Sequence, residues 1–142
     1  MITKDLRKWA SSKVWIPILC RSPDLSLIHI LEVKSLDELE SMGKEKIRGK
    51  IVFYNRPMDP TQIRTFNSYG GAADQRVYGP SKAAEYGAVA AIVRSLTTAN
   101  DDFPHTGVTV YKDSTQRVPG ISISTNDANM LSKKMCIRDS PY

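Results

Sequence analysis

From Leu31 onward the apolar positions follow a regular order, whereas residues 1–27 show no clean period. Leu31-Glu32-Val33 alternates, which predicts a short strand. Ser35-Leu36-Asp37-Glu38 reads as a capping box, in which the Ser35 oxygen accepts from the amide three residues on and Glu38 reaches back. Leu36, Leu39 and Met42 then make a helical stripe, and Gly43 can end that helix in a left-handed conformation. Gly49 to Asn55 reads as a turn followed by an apolar, aromatic strand. Asp59-Pro60 reads as the N-cap and first-turn proline of a short helix that buries Ile63 and Phe66 and stops near Gly70-Gly71.

Gly79-Pro80 opens another helix with Ala83, Ala84 and Tyr86 facing inward and Gly87 at its end. The unbroken apolar run Ala88–Val93 directly follows it and predicts a strand buried on both faces. Thr97–Gly107 is a polar loop of eleven residues, near the length at which loops carry a function. Val108–Tyr111 alternates as a strand, Lys112–Thr115 is a turn, and Gly120–Ser124 is another strand. Thr125 is the expected cap of a last helix carrying Ala128, Leu131 and Met135 inward. There is no internal repeat or low-complexity segment.

Composition bounds these elements without adding chemistry. A chain of 142 residues that is 41% hydrophobic suits one ordinary globular domain. No apolar run approaches the roughly 18–20 residues needed to span a bilayer. The formal charge of +5 raises the question of nucleic acid, and its distribution argues against it. Residues 1–30 hold five basic and two acidic residues, residues 31–130 hold twelve of each, and residues 131–142 hold three and one. The patterned middle is neutral, whereas a nucleic-acid binder carries its charge as a stripe on the folded domain. Cys20 and Cys136 form no C-x-x-C pair and no metal spacing, and sequence does not fix a disulfide between them. The first residues lack the apolar stretch of about 7–15 residues that a signal peptide needs. Leu25–Ile30 and Cys136–Tyr142 resemble translated sequencing-adaptor read-through. The expected division is therefore a flank at 1–30 that is either foreign or disordered, a domain at 31–135 and a foreign tail at 136–142.

Three segments, in this order, resemble a protease-associated domain: Gly49-Lys50-Ile51-Val52-Phe53, the helix–Gly–Ala–strand unit Ser81–Ser95, and Val118–Ser124 with Asn126-Asp127-Ala128 and Leu131. The resemblance narrows at Tyr54-Asn55-Arg56-Pro57, Arg94-Ser95, Pro104-His105-Thr106-Gly107 and Tyr111. These are similar to the variant found in plasma glutamate carboxypeptidase-like (carboxypeptidase Q-like) zinc peptidases, and the similarity runs from about Leu31 to Met135. It implies a mixed α/β (α+β) fold, a small β-sheet or open barrel flanked by two to four short helices. It also implies a secreted or periplasmic parent enzyme with two zinc ions in a catalytic domain outside this chain. The domain itself would be non-catalytic and hold no metal, shaping substrate access or protein contacts. Its partners would be that catalytic domain, a peptide substrate or a second subunit, with no nucleic acid and no membrane span.

The residues agree that the chain has no catalytic set of its own. A two-zinc peptidase needs His, Asp and Glu ligands converging on metals about 3.5–4 Å apart and a carboxylate base. This chain has only His29 and His105, with no H-x-D and no H-E-x-x-H. Asp37-Glu38-Leu39-Glu40 reads as a solvated first helical turn favoured by the helix dipole. His29 lies in an adaptor-like string and is not taken as a ligand. There is no G-x-S-x-G, no P-loop and no G-x-G-x-x-G after a strand. Arg56, Arg64, Arg76 and Arg94 could bind a carboxylate, but with acids in balance solvated pairing is expected. Phe53, Tyr54, Phe66 and Tyr69 read as core or interface. His105, in the long loop, is the one candidate for a substrate-cleft or interface residue, against the plainer reading of a loop histidine tied to nearby backbone. Two rival readings stay open: a free-standing peptide- or protein-binding or sorting module, and a small α/β enzyme using the His105 loop.

Overall fold

A computed structural model describes residues 30–113 and 116–138. Ile30–Val33 forms β1, and Ser35 caps the helix that follows, α1 (Leu36–Ile47), by accepting from the Glu38 amide at 3.0 Å. Glu38 reaches back one residue further than expected, to the Lys34 amide at 2.6 Å. Gly43 does not end α1. It breaks the helix with φ 74° and ψ 163°, and a further turn carries Ile47 into full burial.

Ile51–Tyr54 is β2, Ala90–Arg94 is β3 and Gly120–Ile123 is β4. All neighbours are parallel in the order β1-β2-β3-β4, with Ile30 opposite Ile51, Ile51 opposite Ala90 and Ala91 opposite Gly120. The two inner strands are apolar because both of their faces are covered. Val33, Val52, Tyr54, Ala91 and Val93 pack under α1 and under α3 (Gly79–Glu85), joined by Leu39, Ile47, Ala83 and Ala88. The alternate residues point the other way. There Phe53 is fully buried, while Glu32 and Arg94 meet α4 (Thr125–Arg138) through Ser132 and Asn129. Val89, the second residue of the apolar run, is exposed and precedes the strand.

Gly87 ends α3 as expected. Its φ of 82° lets its amide donate to Ala84 and the Ala88 amide donate to Ala83, which satisfies the last carbonyls and turns the chain into β3. Tyr54 is sealed beneath α3, its hydroxyl donating to the Gly79 carbonyl at 2.7 Å, and burial pushes its pKa up.

The second helix departs from expectation. Asp59 caps a turn, accepting from the Thr61 amide at 2.9 Å, and α2 runs from Thr65 to Val77, straight through Gly70-Gly71. Ile63 is 100% exposed and Phe66 83% exposed. The buried face of α2 is Ser68, Ala72, Gln75 and Arg76, a helical spacing built from small and polar residues. The two glycines have open space around them, so they cost helix propensity, about 1 kcal/mol each, but no packing. Val108–Tyr111 is not a strand. Its amide at Val110 donates to the Val77 carbonyl at the end of α2, and Val108 and Val110 stay exposed. The cap of α4 is Ser124, one residue before the expected Thr125. Ser124 Oγ accepts from the Asp127 amide at 3.0 Å and donates to the Asp127 carboxylate at 2.8 Å. His29 and Cys20 lie outside the described residues, as does the side chain of Cys136.

Candidate functional site

In an open parallel sheet the carboxyl ends of the strands are where loops gather and ligands bind. Here that edge collects Asn55-Arg56, Arg94-Ser95-Leu96 and Ser124-Thr125. Thr125 does not cap α4; it anchors the long polar loop. Its hydroxyl accepts from the Asp101 amide at 2.9 Å and donates to the Ala99 carbonyl at 3.0 Å. The Asn126 side chain adds a bond to Asp102 at 2.8 Å. The loop is thus fastened to the start of α4, and its far end is fastened to β3, where the His105 amide donates to the Ser95 hydroxyl at 2.8 Å. Ser95 is itself buried and donates to the Ile123 carbonyl, which commits its oxygen to structure.

This fastening leaves the His105 ring half-exposed, with Nε2 4.0 Å from the Asp101 carboxylate. The ring stands on a cavity of about 480 Å³ whose other walls include Met58, Phe66, Tyr69, Leu96 and Thr98. It is a mostly apolar hollow with an imidazole and a phenol on its walls, suited to receiving an apolar side chain with a polar neighbour.

Two of the four arginines, Arg76 and Arg94, are buried rather than solvated. Arg94 is 8% exposed and donates to Asn129 at 2.7 Å and to Asn55 at 3.1 Å; Asn55 in turn donates to Glu32 at 2.7 Å. Burial lowers the Arg94 pKa and the nearby Glu32 carboxylate opposes that shift. The network ties β1, β2, β3 and α4 together with polar bonds where a core would use packing. Arg56 pairs with Asp74, and Gln75 makes two bonds to the Arg56 backbone, accepting from its amide at 3.1 Å and donating to its carbonyl at 2.7 Å. Arg64 is exposed at the start of α2. Arg76 is buried and forms no ion pair with a described carboxylate. Sequence reasoning missed Gln75, Ser124 and the Glu32–Asn129–Ser132 partners. The available signal for Gln75 was the 68-72-75-76 spacing, hidden once α2 was expected to stop at Gly70.

No group of three or more His, Cys, Asp or Glu side chains converges among the described residues. No described helix is long and apolar enough to cross a membrane. No family model matches the chain. Carboxypeptidase Q of Xenopus laevis is 38% identical over 105 residues, covering 74% of this chain and 20% of that protein. Carboxypeptidase Q of Homo sapiens is 34% identical over 111 residues, covering 78% of this chain and 22% of that protein. The chain is a segment-length homologue of carboxypeptidase Q. The fold agrees: the crystal structure of a peptidase M28 precursor from Shewanella amazonensis SB2B superposes with a TM-score of 0.71 at 32% identity, over 78% of this chain and 24% of that one. The chain spans about a fifth of the length of the curated relatives it matches. It is a peptidase-related α/β domain, and the resemblance to carboxypeptidase Q-like enzymes holds.

Proposed function

We propose that this chain is the protease-associated domain of an exported, two-zinc, carboxypeptidase Q-like exopeptidase, and that it holds no catalytic residue itself. The domain proper is residues 31–135. Zinc and the general base belong to the catalytic domain of the parent chain. This domain lines the mouth of that catalytic cleft, limiting which peptides enter. The observation that carries the reading is the carboxyl edge of the sheet. A loop fastened at both ends presents His105 over an apolar hollow, and Phe66 on its wall is left almost fully in solvent. Exposed apolar surface next to a held polar group marks a contact surface. In the parent enzyme, His105→Ala is expected to lower turnover of dipeptides by about tenfold, the size of one lost positioning bond, while the domain's melting temperature stays put. Unchanged kinetics across a dipeptide panel would leave His105 as a loop histidine tied to backbone.

A further inference from the structure

The buried face of α2 ends in a cation without a counter-charge among the described residues. Arg76 is only 9% exposed. Its Nη2 donates to the Tyr69 hydroxyl and its guanidinium lies 5.3 Å from the Tyr69 ring centre. Its Nε is buried with no hydrogen-bond partner among the described residues. Half-buried Arg56 and buried Arg94 also leave Nε without a described partner, but Arg56 pairs with Asp74, and Arg94 has two asparagine oxygens with Glu32 behind them. A buried charge is costly unless paired and hydrogen-bonded, so an arginine left with one phenol and one ring face is held for a charge that comes from elsewhere.

The surroundings say what that charge is attached to. Arg76 lines a second cavity, of about 310 Å³, together with Thr106, Gly107, Thr109, Gly120 and Ser122. Gly107 lies against the guanidinium: a Cβ there would stand 2.6 Å from Arg76 Cζ, so a larger residue would require the arginine side chain to shift. The opposite wall is the open edge of β4. The Pro119 and Ile123 carbonyls accept from Ala91 and Ser95 of the β3 side, so by strand alternation Gly120 and Ser122 turn their amide and carbonyl groups outward into the cavity. Among the described strands β4 pairs with β3 alone. A strand edge beside a buried guanidinium suits an extended peptide that carries a carboxylate: the edge bonds its backbone and the planar fork of arginine bonds its acid.

We propose that the cavity between β4 and the Thr106–Thr109 segment is a peptide-carboxylate binding site, with Arg76 as its charged group. It is separate from the His105 hollow and does not rest on the parent enzyme's activity. The test uses the full 142-residue chain, ¹⁵N-labelled, titrated with N-acetyl-dialanine, with its C-terminal amide, and with an amidated N-acetyl dipeptide carrying a glutamate side chain. Saturable shifts at the Gly107, Thr109, Gly120 and Ser122 amides are expected for the free acid, with Kd on the order of 1 mM, and none for the amide. A response to the glutamate peptide would assign the site to side-chain as well as terminal carboxylates. Arg76→Gln is expected to weaken binding at least about tenfold. Thr106→Asp, an exposed rim substitution that places a rival carboxylate at the mouth, is expected to weaken it while the fold stays intact; it decides the matter if Arg76→Gln fails to fold. Absence of saturable shifts, equal shifts with inorganic phosphate at matched ionic strength, or binding unaltered by both variants overturns the proposal.

Discussion

The sheet face under α1 and α3 and the rim of loops at the sheet's carboxyl edge are held together by different forces. The first is a closed apolar layer: Val33, Leu39, Ile47, Val52, Ala83 and Val93 have almost no contact with water. The second is a lattice of directed bonds, from Gln75 to the Arg56 backbone, from Thr125 to the long loop and from Arg94 to α4, while Ile63, Phe66 and Phe103 stand in solvent. A hydrophobic layer tolerates volume changes poorly but has no need of exact partners. A polar lattice fixes where loops sit and leaves apolar residues free to meet something else. The contrast separates the part of the domain that makes it fold from the part that makes it useful.

Substitutions can break that contrast in order of size. Leu39→Ala in the apolar layer should cost about 2–5 kcal/mol in a denaturant melt, since it leaves a cavity between α1 and the sheet. Gln75→Leu keeps volume but strands two backbone groups of Arg56, and about 2 kcal/mol is expected. Gly87→Val, at the turn from α3 into β3, should cost more than about 1 kcal/mol, because a β-branched residue is strained at its φ of 82°. Ile63→Ser on the rim should change stability by less than about 0.5 kcal/mol. A large loss there would mean that the rim is part of the core, and a full-strength Gln75→Leu would mean that the polar lattice is ornamental.

The apolar layer was legible in the sequence because periodicity reports burial. The alternation at Leu31–Val33, the run before Val93 and the stripe through Leu39 each point at the face they bury. The lattice was not, because its members are chosen for the partner they meet. Gln75 and Ser124 look like any other surface residues until the chain brings Arg56 and Asp127 to them. Two errors share a cause. Asp59-Pro60 and Gly70-Gly71 carry strong local start and stop signals, but the buried face Ser68-Ala72-Gln75-Arg76 outweighs them and sets the helix at Thr65–Val77. Val108–Tyr111 alternates as a strand would, yet it lies along the end of α2 and finds no ladder. Of the site, the His105 loop was visible from its length and polarity, whereas the burial of Arg76 depends on the unseen second half of α2.

The wholly parallel order of the sheet also bears on how the chain assembles. No described strand pair is a hairpin: residue 30 meets 51, 51 meets 90 and 91 meets 120, each across a helical crossover or a long loop. Every ladder must therefore be closed over a long stretch of chain before it returns any free energy, which makes for slow folding. During synthesis from the N-terminal end, β1 and β2 are made well before β4, so a half-built sheet with an open β3 edge is obliged to wait in solution. That waiting edge is the natural target of a chaperone and the natural start of aggregation.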